Sequence, residues 1–240
     1  MTLIEEMDTK EKIVHVAADL LAQGGREAVS TRAVAAAAGV QAPTIYRHFG
    51  DMRALMDAVA IYGFEGYMRE KTSREPTDDP VETLRQGWDL HVAFGLSHPA
   101  FYALMYGDTR SETRSSAADE GYKVLHTHLL RVAEAGRLRV GVERAAQMIH
   151  AGGCGVTFTL LELDPNERDL SLSAQTREVI LGAITLPKDS AEASAKTALG
   201  SRAATHAVAL KAVLDEVTAL SSGEKILLSE WLDRLSQTDH

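Results

Sequence analysis

The chain has 240 residues, 45% of them hydrophobic, a formal net charge of −9 and a single cysteine, Cys154. This hydrophobic content supports a packed core and excludes wholesale disorder. The acidity excludes a general nucleic-acid coat, and the lone cysteine excludes an internal disulfide framework or a cysteine-based zinc cluster.

Sequence-specific DNA binding stays open, because it needs only a few well-placed cations on one face. The aromatic fraction of 5% is low and Ala, Leu and Glu are abundant, which favours helices over strands. The opening MTLIEEMDTKEK has no apolar stretch of the kind a secretory signal carries. The longest runs without Asp, Glu, Lys or Arg, Leu90–Gly107 and Ala145–Leu161, fall short of the about 20 residues a membrane span needs, the first holds His98-Pro99 and the second is rich in Gly and Thr. The cysteine usage and the absence of a signal place the chain in the cytoplasm, away from membranes.

In chain order, Asp8 or Thr9 caps a first helix whose Ile13, Val16, Ala17, Leu20 and Leu21 form one apolar stripe, and Gly24-Gly25 stops it. Ser30 caps a short helix over 31–38, and Gly39-Val40 makes a turn. A third helix covers 42–48, with Pro43 in its first turn where a missing N–H costs nothing. Asp51 caps a fourth, with Leu55, Met56, Val59 and Tyr62, reaching toward Lys71. Residues 72–80 read as a loop. Helical segments follow near 80–97, 99–107, 115–136, 142–163 and 174–186. After a polar break at 187–190, an Ala-rich helix is expected over 191–220. Ser221 and Glu224 then have capping-box spacing for a last helix carrying Leu228, Trp231, Leu232 and Leu235. No strand pattern, internal repeat or low-complexity tract is evident.

Residues 28–49, AVSTRAVAAAAGVQAPTIYRHF, carry the functional argument. Two short helices joined by a Gly-containing turn form a helix-turn-helix. Val34 and Ala37 are expected to meet Val40 and Ile45 in a small shared core, and Ile45 with Phe49 buries one side of the third helix. Gln41, Ala42, Thr44, Tyr46, Arg47 and His48 are left at its exposed surface. Hydroxyls and His suit phosphates, and Arg can bond guanine edges in bidentate fashion.

Over residues 9–60 the chain closely resembles the TetR family of bacterial regulators. The likeness rests on the first helix, on Ser30-Thr31 ahead of Ala35 to Val40, and above all on Thr44-Ile45-Tyr46-Arg47-His48-Phe49. The resemblance implies an all-α fold: a three-helix helix-turn-helix domain over 1–53 and a larger helical ligand-binding and dimerisation domain over 54–240. It implies that Thr31, Thr44, Tyr46 and His48 hold phosphates, while Gln41, Ala42, Pro43 and Arg47 face base edges. Where the family commonly has Lys at the start of the fourth helix, this chain has Met52 and then Arg53, leaving Arg53 or the helix N-terminus to take that contact. The expected function is that of a ligand-responsive operator-DNA-binding regulator. It would be a repressor released by a small molecule, acting as a homodimer with no cofactor, no metal and no enzymatic activity. The alternative is an all-α binding protein or enzyme that uses the C-terminal pocket without DNA regulation, but no nucleophile–base pair or cofactor fingerprint stands out.

Ten of the thirteen aromatics lie between Tyr62 and Phe158. Aromatics at helical spacing are usually core; as a set they are also compatible with an apolar cavity. The resemblance implies such a cavity, and its expected liners are Trp88, His91, Phe101, Met105, Cys154 and Phe158. The run from His150 to Gly155 reads as a helix needing small residues where something packs close, since two metal ligands make no site. His126 and His128 fall on different helix faces and read as solvated. Two segments suit the dimer seam: 143–163, or the Ala-rich helix with Ala198, Leu199, Ala203, His206, Leu210, Val213 and Leu214.

Overall fold

A computed structural model describes residues 8–73, 77–107, 116–188 and 199–236, with side chains described outside 66–73 and 199–202. Eleven α-helices run in order among these residues. They are α1 (Thr9–Ala28), α2 (Thr31–Ala38), α3 (Ala42–Phe49), α4 (Met52–Ser73), α5 (Pro80–Ser97), α6 (Pro99–Tyr106), α7 (Ser116–Glu134), α8 (Val142–Leu161), α9 (Ser171–Ile184), α10 (Leu199–Ala212) and α11 (Ser222–Ser236). No strand occurs among the described residues, and one isolated antiparallel bridge joins Leu138 to Thr185. The fold is all-helical, as the sequence implies. No described helix is long and apolar enough to cross a membrane.

The chain divides into two compact units, Met1–Glu75 with Ala93–Gly121, and Pro76–Val92 with Tyr122–His240. In the first, α1 buries Ile13, Ala17 and Leu21 and packs on α2 and α4, which bury Val34 and Ala38, and Leu55 and Val59, while α3 packs on α2 and α4 and buries Ile45. The Gly24-Gly25 stop is a kink rather than an end: Gly25 adopts φ 66° and ψ −170°, and one more turn follows to Ala28. Within α2 the inward position is Ala38, not Ala37, which is exposed. Phe101 of α6 lies against α4 at Gly63, where a Cβ would come within 2.2 Å of its ring.

The second unit is built around α8, which buries Ala145, Ala146, Ile149, Gly153, Val156, Thr157 and Leu160 and packs on α9. The Trp88 indole N–H donates to Ser173 Oγ at 3.0 Å, tying α5 to α9. Here the glycines of α8 find their reason. A Cβ on Gly152 would lie 2.2 Å from Ile180 Cδ1 and 3.1 Å from Trp88, and one on Gly153 would lie 3.3 Å from His91. His126 is not simply solvated, since its Nε2 lies 2.9 Å from Glu143, and the Nδ1 of His128 is buried.

Two ionic ties brace this unit. Arg137 pairs with Asp79, whose carboxylate also accepts the Val81 N–H at 2.9 Å and so caps α5. Burial pushes the Asp79 carboxyl up, but the Val81 N–H and the Arg137 guanidinium outweigh it and hold it below its ordinary value. Glu178 bridges Arg85 at 3.0 Å and Arg177 at 2.9 Å; mainly through the Arg85 hydrogen bond, it too is held below the usual carboxylate range.

The expected helix over 191–220 is shorter where it is described. Residues 191–198, including Ala198, lie outside the described residues; α10 ends at Ala212, and a 3-10 turn, Leu214–Glu216, follows. That turn lets Leu214 join Ala207 and Leu232 of α11 in a small core, flanked by Leu220 and Leu228. The capping box forms as read: the Ser221 N–H and hydroxyl both donate to Glu224, at 2.8 and 2.7 Å.

Candidate nucleic-acid interface

The geometry of α2 and α3 follows from short-range chemistry. Ser30 is extended and its Oγ accepts the Ala33 N–H at 3.2 Å, satisfying one open donor of the α2 N-terminus. At the other end Gly39 takes φ 67°, a left-handed conformation that costs a glycine little. The N–H of Gly39 then bonds Ala36 O and that of Val40 bonds Ala35 O at 3.0 Å, a Schellman closure that turns the chain into α3. Pro43 sits in the first turn of α3. Gly50, at φ 79°, ends it, and Asp51 accepts the Ala54 N–H at 2.8 Å to start α4.

Ile45 is fully buried and anchors α3, while Phe49 is half-buried with the Lys10 ammonium 5.8 Å above its ring. The remaining side chains of α3 divide as a groove-facing helix requires. Gln41, Pro43, Tyr46 and Arg47 are exposed, Tyr46 to 46%, and Ala42, Thr44 and His48 are half-buried. Arg53 is exposed at the start of α4. Thr31 and Tyr46, fifteen residues apart in sequence, are brought together with their hydroxyls 3.1 Å apart. This contact fixes the Tyr46 ring against the N-terminal turn of α2, so two hydroxyls suited to phosphate share one spot.

Electrostatics favour the same surface. Residues 28–50 contain no acid but hold Arg32, Arg47 and His48, although the chain as a whole is strongly acidic. Arg32, exposed beside Thr31, and Lys10, exposed at the start of α1, were not among the expected contact residues. The signal for Arg32 was its place next to a phosphate-type Thr in a stretch without acids. Lys10 had no such signal, because only the fold sets it beside α3.

The six expected effector residues are divided. Phe101 and Met105 belong to the first unit and are buried; Trp88, buried, and His91, Cys154 and Phe158, half-buried, belong to the second. His91 and Trp88 line the same stretch of α8, at Gly152 and Gly153. Cys154 Sγ lies 3.7 Å from His150 Nδ1, and among the described residues no group of three or more His, Cys, Asp or Glu is arranged to hold a metal ion.

Residues 13–59 match the family model for bacterial regulatory proteins of the tetR family. The chain is 43% identical over 51 residues to tetracycline repressor protein class C of Escherichia coli, a match covering 21% of this chain and 23% of that protein. The chain thus spans about a quarter of the length of this curated relative. Among solved structures, the fatty acid degradation regulator FadR of Bacillus halodurans superposes with a TM-score of 0.59 at 19% identity, covering 73% of this chain and 96% of that one. A candidate transcriptional regulator of Saccharomonospora viridis, crystallised in complex with choline, gives 0.57 at 14% identity, covering 75% and 98%. At such identities the likeness is one of fold. The family model and the repressor match go further over the N-terminal region: residues 13–59 are similar in sequence to the helix-turn-helix region of the tetR family of bacterial regulatory proteins, and a helical region follows it in this chain.

Proposed function

We propose that this protein is a cytoplasmic homodimeric regulator that binds operator DNA through α2 and α3 and is released from it by a small molecule, acting as a repressor. The observation that carries this reading is the acid-free surface of α2 and α3, on which the Thr31 and Tyr46 hydroxyls meet at 3.1 Å beside exposed Arg47. Thr31, Thr44, Tyr46, His48 and Arg53 are assigned to phosphates, and Gln41, Ala42, Pro43 and Arg47 to base edges. A dimer presents two copies of α3 to successive major grooves about 34–36 Å apart, so the operator should be near-palindromic.

The small-molecule part of the reading is supported by the choline complex of the Saccharomonospora chain of like fold. Of the expected effector residues, Trp88, His91, Cys154 and Phe158 share one unit and are the proposed contacts there. An effector that binds better to a subunit shape with the wrong separation of recognition helices lowers operator affinity by that difference. Exposed apolar side chains in the second unit, among them Leu172 and Val179 of α9 and Leu210 of α10, support association of two copies.

The test begins with selection of genomic fragments on the immobilised protein, followed by titration of variants on the selected site. Tyr46→Ala and Thr44→Ala should weaken binding to all sequences, since phosphate contacts position without specifying. Arg47→Ala should cost about 1–3 kcal/mol on the preferred site and relax base choice there. Binding by all three variants equal to the parent at physiological salt would remove α3 from the interface.

A further inference from the structure

The fold sets a nucleophile beside a base on α8. Cys154, the only cysteine of the chain, and His150 stand one turn apart there, both half-buried. The Cys154 Sγ lies 3.7 Å from His150 Nδ1 and 3.9 Å from Nε2, so whichever nitrogen is unprotonated can take the thiol proton. The Tyr122 ring of α7 meets the imidazole edge-on, with centroids 5.9 Å apart and planes at 86°, and so fixes its place. Glu143, on the same face of α8, is engaged by His126 at 2.9 Å and by the Tyr122 hydroxyl at 3.5 Å. All five residues belong to the second compact unit. The thiol is not sealed in: the adjoining Gly155 is exposed, and a Cβ there would meet nothing within 4 Å. A cysteine that only fills a core sits in apolar surroundings, whereas a half-exposed thiol beside an imidazole is the arrangement of a reactive one.

We propose that Cys154 and His150 form a covalent capture site for small α,β-unsaturated carbonyl compounds. As the chemical class of the effector this rests on the regulator reading; as a reaction of the thiol it stands apart from it. His150 takes the thiol proton, and the thiolate electron pair forms an S–C bond to the β-carbon of the acceptor. The C=C π bond breaks, its electron pair passes through the enolate to the α-carbon, and the proton held by His150 is delivered there. The product is a thioether, no oxidant or reductant is consumed, and the imidazole ends neutral as it began. Other thiol chemistry fits the chain less well. With a single cysteine, oxidation finds no second thiol to close a disulfide within the chain. Among the described residues no group of three or more ligands is arranged for a metal ion, and a thiol with one imidazole makes no metal site. Conjugate addition needs only one thiol and one group that acts first as base and then as acid, which this pair supplies. Phe158, half-buried and one turn beyond Cys154, offers the carbon skeleton of the acceptor an apolar neighbour.

N-ethylmaleimide and acrolein are the probes, with adduct formation on the full chain followed by mass spectrometry at neutral pH. Both should react with Cys154 at least about tenfold faster than with glutathione, a thiol with no imidazole beside it, and unfolding the chain in urea should remove that advantage. His150→Gln should slow the reaction about tenfold or more in a chain that melts with the parent. Tyr122→Leu should slow it as well, and Tyr122→Phe, which keeps the ring edge, should restore it. A parent no faster than glutathione, or His150→Gln equal to the parent, overturns the capture site. Should His150→Gln fail to fold, the ratio of parent to glutathione decides alone. Operator release is read separately, on a genomic fragment selected by the parent. One equivalent of N-ethylmaleimide should lower the parent's affinity for it about fivefold or more and leave the Cys154→Ser chain bound. A modified parent that holds the fragment as before, or a Cys154→Ser chain that is also released, overturns the electrophile as effector. A parent that selects no fragment fails the regulator reading instead, and the reaction rates still judge the capture site.

Discussion

Two glycines three residues apart on α8 should respond oppositely to the same substitution. Gly→Ala within a helix is worth about 1 kcal/mol through backbone entropy alone. At Gly155 a Cβ would meet nothing within 4 Å, so Gly155→Ala should keep most of that gain. At Gly152 a Cβ would stand 2.2 Å from Ile180 Cδ1, against an ordinary contact of about 3.5–4.0 Å. The Ile180 methyl can swing away, but Trp88, 3.1 Å from the same point, is held by its hydrogen bond to Ser173. Overpacking of this kind costs about 1–3 kcal/mol, which outweighs the helix gain and leaves Gly152→Ala about 1 kcal/mol less stable than the parent. The two variants should differ by about 2 kcal/mol, or roughly 4–8 °C in melting temperature for a chain of this size, read by circular dichroism. Ile180→Val removes the clashing atom, so the Gly152→Ala/Ile180→Val pair should recover part of the loss as a positive coupling. A Gly152→Ala protein that melts at or above the parent would refute the reasoning, because it would mean that α5 and α9 do not crowd α8 there.

Acid should loosen the second unit in a defined sense. Asp79 and Glu178 are held below their ordinary values in the folded chain, so their stabilisation is complete above about pH 4.5 and is lost as the pH falls through the lower folded values. Asp79→Asn with Glu178→Gln should therefore flatten the dependence of melting temperature on pH between about 5 and 3, and an unchanged slope would exclude these two groups as its source. At the hairpin, Ser221→Ala removes the hydroxyl that accepts the Glu224 N–H and donates to the Glu224 carboxylate, leaves the Ser221 N–H bond to that carboxylate in place, and should cost about 1 kcal/mol, seen as roughly fivefold faster amide exchange in the first turns of α11. Exchange equal to the parent would mean that the cap does not hold that helix.

What the sequence could determine here is what acts over about four residues. Ser30, Gly39, Asp51 and the Ser221–Glu224 box were legible because a cap needs only one side chain and the next turn of backbone. The i, i+3, i+4 spacing placed Ile13, Ala17 and Leu21 inward for the same reason, and Gly39 and Pro43 bracketed the turn into the helix that runs to Phe49. Misreadings occurred where packing chooses between neighbours of equal propensity. Ala37 and Ala38 are alike in sequence, and only the approach of α1 and α3 makes Ala38 the inward one. An Ala-rich tract says helix, yet α10 stops at Ala212 because Leu214 gains more by dropping into the hairpin core than by prolonging the helix. Tertiary structure alone decided the long-range meetings: the Thr31 hydroxyl on Tyr46, Trp88 on Ser173, His126 on Glu143, and the side chains that crowd Gly152 and Gly153. It also divided the six expected effector residues between two compact units. Each of these depends on how helices distant in sequence come together, and that is set by the fit of whole apolar faces rather than by any local pattern.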